Sequence, residues 1–193
     1  MKKVLVVVDV QKDFFHPEGA LYVKGGEVLP ERIAKVIPEF DAVVFTVDWH
    51  PYNHCSFKEN GGIWPVHCVQ YTEGASLPNE FMPFLTGGNV VRKGTYTREE
   101  EYGANPQDIV YTVPVGNNEE YEIVFCGIAG DYCVRETIEN TRIAMKAVKF
   151  FRGSDFYPSK LSVWIDGVAS IDDGTTLREF MKENNIEEWT PEA

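Results

Sequence analysis

The chain has 193 residues, 44% of them hydrophobic, which suits one domain spanning 1–193 around one large core. A formal net charge of -12, from 30 acidic and 18 basic residues, gives a surface that repels nucleic acid and anionic membranes. Too few apolar residues precede Asp9 for a signal-peptide core or a membrane span, and Cys55, Cys68, Cys126 and Cys133 are too sparse for a disulfide scaffold, so a cytoplasmic location with reduced thiols is expected.

Val4 to Val8 is an unbroken aliphatic run, the pattern of a strand covered on both faces in a parallel sheet, and it ends at Asp9. Pro30 suits the first turn of a helix over about Glu31 to Ile37, which Pro38 stops. Further strand-like runs are Ala42 to Val47, Asn89 to Val91, Glu122 to Cys126 and Leu161 to Ile165. Between the last two, Val134, Ile138, Ile143, Ala144 and Ala147 give a partly helical spacing after a start near Asp131. Gly174-Thr175-Thr176 precedes a final helix through Phe180 and Met181. This βαβ rhythm predicts an α/β fold, a three-layer α/β/α sandwich with a mostly parallel central sheet. Phe57 to Phe84 and Thr95 to Asn118 read as long ordered loops, and the acidic run Glu99 to Glu101 as solvated surface.

Open parallel sheets bind ligands beyond the carboxyl ends of their strands, and the reactive residue types fall there. Asp9 ends the first run, Asp48-Trp49-His50 the second and Arg92-Lys93-Gly94 the third, while Gly127-Ile128-Ala129-Gly130 leads from the fourth to Asp131-Tyr132-Cys133. Cys133 opens a helix, where the dipole and free N–H groups favour a thiolate nucleophile. A buried Asp9 has its pKa raised and can take a thiol proton, with Lys93 balancing the charge. Alone, either charged residue reads first as half of a structural ion pair. Cys126, inside an apolar strand, reads as a core residue.

Asp48 and His50 alternate on one side of an extended segment, and Pro51 prevents a helical continuation. With His67, and His54 as a further candidate, they form an Asp/His set suited to a metal with open positions. The repeated His54-Cys55 and His67-Cys68 pairs leave open a closed structural zinc site in a non-catalytic module. Phe14 and Trp64 sit in loops where they can wall a flat ring. His16 reads as a loop residue. Phosphate-cradling glycine loops, a Cys-x-x-Cys pair and an arginine six residues after Cys126 or Cys133 are all missing, which favours hydrolysis through a thioester.

Five ordered pieces resemble the isochorismatase-like cysteine hydrolases, in particular their nicotinamidase/pyrazinamidase branch. They are Val8 to Phe15, Asp48 to Phe57, Trp64 to Val69, Arg92 to Gly94 and Gly127 to Val134. The resemblance implies a catalytic triad of Asp9, Lys93 and Cys133. It also implies an oxyanion hole from the N–H groups of Ala129 and Cys133 and a cis Ile128-Ala129 peptide. Asp48, His50 and His67 would hold a divalent metal, zinc first with iron or manganese as alternatives, with His54 direct or through water. Phe14 and Trp64 would sandwich the ring of a small-molecule substrate, nicotinamide or pyrazinamide, and the expected role is in pyridine nucleotide salvage. Homo-oligomerisation is left open. The chain departs from the family pattern after Lys93, at Thr95-Tyr96-Thr97-Arg98 and Glu99 to Glu101, and again from Lys149 to Ser159. These departures keep another small amide or carbamoyl substrate as an alternative.

Overall fold

The structure is a computed structural model that describes residues 1–113, 120–151 and 158–192. Six strands make one sheet: β1 (Lys2–Val8), β2 (Ala42–Asp48), β3 (Val90–Lys93), β4 (Tyr121–Ile128), β5 (Lys160–Ala169) and β6 (Glu187–Glu188). Their order is β3-β2-β1-β4-β5-β6 and every neighbouring pair is parallel. The chain builds outward from β1 to β3, then crosses back and builds the other way from β4. The connections therefore diverge above the carboxyl ends of β1 and β4, leaving a crevice there.

The pleat of β1 divides its apolar run between two cores. Leu5 and Val7 join one with Ile33 and Val36 of α2 (Leu29–Val36), together with Trp164, Trp189 and Phe81. Val4, Val6 and Val8 join the other with Ile109 of α3 (Pro106–Thr112), Ile138 of α4 (Arg135–Phe151) and Leu177, Phe180 and Met181 of α5 (Thr175–Asn184). The fold is thus the expected three-layer α/β/α sandwich. One outer layer rests on α2 and on short turns between Glu73 and Phe84 rather than on a row of long helices. A further short helix, α1 (Lys12–Phe15), follows β1 directly.

Several details differ from the sequence expectation. The stretch read as loop from Thr95 to Asn118 contains α3, whose Asn105 side chain accepts from the Gln107 N–H at the cap and whose Pro106 opens the first turn. Residues 114–118 of that stretch, and most of the Lys149 to Ser159 segment, lie outside the described residues. In α4, Ile143 is 53% exposed, whereas Thr137 and Thr141 are buried. Their hydroxyls donate to the carbonyls of Cys133 and Thr137, four residues back, so these polar side chains enter the core with their hydrogen bonds made. Among the described residues no helix is long and apolar enough to cross a membrane.

Candidate active site

The carboxyl ends of β1, β2, β3 and β4 bring Asp9, Asp48, Lys93 and Cys133 into one buried cluster. Asp9 takes a left-handed backbone, φ 49°, on leaving β1, which costs a non-glycine residue energy and is held by its neighbours. Its N–H donates to the Thr46 carbonyl at 3.1 Å, and the Thr46 hydroxyl donates to Asp9 Oδ1 at 2.7 Å. Asp9 Oδ2 lies 2.8 Å from Lys93 Nζ but lacks a well-directed hydrogen bond, so a lone pair stays available for a proton. Lys93 Nζ also contacts Asp48 Oδ1 and sits 3.6 Å from Cys133 Sγ.

Burial pushes Asp9 above the usual carboxylate range, with Asp48 adding to the rise and Lys93 opposing it. For Lys93 burial works the other way, yet Asp48 and Asp9 outweigh it and hold the ammonium charged. Cys133 is buried at 7% exposure, and burial together with the two carboxylates raises its thiol well above the ordinary value despite Lys93. Desolvation outweighs the dipole here, and ionising Cys133 requires a base at hand.

Asp48 is shared. Its Oδ1 faces Lys93, while its Oδ2 lies 3.4 Å from His50 Nε2 and 3.9 Å from His67 Nε2. Burial alone would raise Asp48, but Lys93 and the two histidines more than offset it and keep the carboxylate ionised. His50 Nδ1 is 2.9 Å from the Gly94 carbonyl and His67 Nδ1 is 2.7 Å from the Pro65 carbonyl. A carbonyl only accepts, so each Nδ1 carries a proton; a second proton on Nε2 lets the ring pair with Asp48, and its loss frees the Nε2 lone pair for a cation. Two imidazole lone pairs and a carboxylate oxygen, all within 4.8 Å of one another, are the donor set of a divalent cation, and the residues fit one. Gly94 is needed for this: at φ +60° it lets His50 pack so closely that a Cβ would come within 2.4 Å of the ring.

His54 stacks on His50 at 4.1 Å between ring centroids. Both its nitrogens are committed, Nδ1 to the Ser56 hydroxyl at 2.7 Å and Nε2 to the Glu99 carbonyl at 2.9 Å. The structure therefore groups His54 with the imidazoles but outside the converging donors. Cys55 and Cys68 join no group of metal donors among the described residues, and Cys68 is buried beside Gly74, so the closed His-Cys zinc site is not assembled.

A cleft of about 420 Å³ opens onto Cys133, Ala129, His50 and His67, with Phe14 and Trp64 among its walls. The Ile128-Ala129 peptide is cis. The Ala129 carbonyl accepts from the N–H groups of Tyr132 and Val134, which folds the 129–134 segment into a wide turn ahead of α4. Asp131 anchors that turn by accepting from the Ile171 N–H at 3.0 Å.

Sequence reasoning missed three contributors. Gln11 is fully buried and brackets the Asp48 backbone, accepting from its N–H at 2.7 Å and donating to its carbonyl at 2.8 Å. Its signal was a polar residue directly after an apolar strand. Tyr102 accepts from Trp64 Nε1 at 3.0 Å and shares the wall with it. The acidic run is exposed at Glu99 and Glu100, as expected, but it also serves the site. Its carbonyls reach His54 and Lys93, and Glu101 Oε2 accepts from the Gly94 N–H at 2.8 Å, because buried cationic and N–H donors need acceptors.

A parallel sheet with a buried Asp-Lys-Cys cluster beside an Asp-His-His donor set defines a class of hydrolase, and residues 3–141 match the Isochorismatase domain. The chain belongs to the isochorismatase family. The nicotinamidase of Saccharomyces cerevisiae is 32% identical over 172 residues, covering 70% of this chain and 79% of that protein. Among solved structures, the pyrazinamidase of Pyrococcus horikoshii in complex with zinc is 31% identical with a TM-score of 0.73, covering 98% of this chain and 99% of that one. PnC1 from L. infantum in complex with nicotinate is 30% identical with a TM-score of 0.75, covering 98% and 92%.

Proposed function

We propose that the chain is a nicotinamidase, a metal-assisted cysteine amidase that converts nicotinamide, and pyrazinamide with it, to the carboxylate and ammonia. The observation that carries this reading is Cys133, which lines the cleft 3.6 Å from a lysine that is itself 2.8 Å from Asp9, beside the Asp48, His50 and His67 donors. The nicotinamidase relatives support the choice of amide.

In the first half-reaction Asp9 takes the Cys133 proton and the thiolate attacks the carboxamide carbon. The N–H groups of Ala129 and Cys133 receive the oxyanion. Asp9 returns the proton to the departing nitrogen, and ammonia leaves. In the second half Asp9 accepts a proton from water, whose oxygen cleaves the thioester and frees Cys133. Lys93 stays charged throughout and balances Asp9 as its own charge changes. Phe14 and Trp64 hold the ring in the attack orientation. Asp48, His50 and His67 would hold a divalent cation, zinc in first place with iron or manganese acceptable to the same donors, which supplies a Lewis-acid contact for the ring nitrogen. His54 supports this set from outside it. A cytoplasmic setting and a part in pyridine nucleotide salvage accord with four free cysteines and with this substrate.

The test is ammonia release from nicotinamide by the purified, metal-loaded protein, with N-carbamoyl compounds as comparison substrates. Turnover of nicotinamide is expected. Hydrolysis of a carbamoyl compound without any of nicotinamide would replace the substrate in this account.

A further inference from the structure

Glu100 sits in the segment where the chain departs from its family pattern, and, although exposed to solvent, it is one of the residues lining the same cleft as Cys133, Ala129, His50 and His67. The segment around it is held at four points, two through backbone carbonyls and two through side chains. Before it, the Glu99 carbonyl holds His54 Nε2 at 2.9 Å. After it, the Glu101 carbonyl lies 3.4 Å from Lys93 Nζ, Glu101 Oε2 accepts from Gly94, and the Tyr102 hydroxyl accepts from Trp64. A residue between such anchors keeps its place at the cleft. Glu100 is in no ion pair among the described residues: His50 and Lys93 act on its carboxylate only across the cleft, and no cation is seated on it.

The reaction changes the charge of the ligand without changing its size. A neutral carboxamide and water become a carboxylate and ammonium, while the ring that Phe14 and Trp64 hold is the same in both. Shape therefore cannot tell product from substrate, and charge can. We propose that Glu100 is the specificity-determining residue that makes this distinction: its carboxylate disfavours an anionic ring ligand in the cleft and so sheds the product after each turnover. This rests on the nicotinamidase reading for the identity of the product.

The experiment is calorimetric titration of the metal-loaded protein and of Glu100→Gln and Glu100→Asp with nicotinate and with the neutral 3-methylpyridine. Glu100→Gln, nearly the same size without the charge, is expected to bind nicotinate at least about threefold more tightly, while 3-methylpyridine changes by less than about twofold. Glu100→Asp keeps the charge and is expected to stay near the parent. Unchanged nicotinate affinity in Glu100→Gln, or equal tightening of both ligands, would overturn the proposal. Because titration needs no turnover, failure to release ammonia from nicotinamide would count against the functional reading alone, and the charge comparison would still decide the role of Glu100.

Discussion

Cys133 and Cys126 are both buried cysteines near the carboxyl end of the sheet, and only their surroundings separate them. Cys126 is enclosed in β4 by apolar neighbours, and burial alone raises its thiol, whereas Cys133 has Lys93 and Asp9 beside it. Cys133→Ala is expected to lower turnover of nicotinamide by at least about a thousandfold with the fold intact. Cys126→Ala should instead cost about 1–2 kcal/mol of stability and leave the chemistry. Steady-state rates beside chemical denaturation separate the two, and equal kinetic damage would reverse the choice of nucleophile. His50→Ala and His67→Ala should each lower metal content and weaken nicotinamide binding by about tenfold or more. His54→Ala should do less, since its nitrogens are spent on Ser56 and Glu99. Elemental analysis with ligand titration reads all three. Most of these residues were legible from the sequence because strand ends collect reactive side chains. Gln11 and Glu100 were not, since their meaning lies in contacts from Asp48 and the cleft that spacing along the chain does not encode.

At the level of elements, the continuous apolar runs announced β1, β2, β4 and β5, since strands buried on both faces leave no polar alternation to confuse. β3 came out as Val90–Lys93, slightly later than expected, with the Asn89 side chain tying its entry to the Val43 and Phe84 carbonyls while the Asn89 carbonyl already accepts from the Phe45 N–H of β2. The two-residue β6 and the seven-residue α3 carry too few residues for a period to register. The end of β4 depends on Gly127, whose φ of +120° L side chains rarely adopt and whose missing Cβ would lie 2.0 Å from the Val8 carbonyl oxygen. Gly127→Ala is expected to destabilise the protein by about 3 kcal/mol or more and to depress turnover with it, because β1 and the segment bearing Ala129 and Cys133 are pushed apart. Gly87→Ala, with open space around it, should change the melting temperature by only a degree or two, within about 0.5 kcal/mol. Similar losses from both would show that the close approach of β1 and β4 is not what Gly127 protects.

Across the whole molecule, the cores on either side of the sheet are built from side chains that owe nothing to the metal donors, which lie at one edge of them. Removing the cation with a chelator should therefore abolish turnover while the protein stays folded, its melting temperature falling only by the contribution of ligand binding to the native state. Circular dichroism and a melting curve on chelated protein check this, and loss of the fold would restore the structural-zinc alternative. The layer order and the parallel sheet were readable from the sequence because they follow from local period and from the rules of crossover connection. The uneven outer layer, with α2 and short turns on one face, was not. Irregular segments cover a sheet through contacts that no repeat spacing reports.

Asp48 gives one oxygen to Lys93 and the other to the histidines, so two events that seem separate draw on a single anion. Thermodynamic linkage then requires reciprocity: whatever a cation on the histidine side takes from the grip of Asp48 on Lys93, the lysine takes from the affinity for the cation. Lys93 is thus a competitor as well as a helper. Lys93→Met should lose turnover and yet bind the divalent ion more tightly than the parent, by about tenfold, with the bound ion recovering part of the stability lost when Asp9 and Asp48 are left without their ammonium. A metal titration of the two proteins followed by melting with and without the ion measures both sides of the exchange, and weaker ion binding by the variant would mean that the two halves of the site are not antagonists.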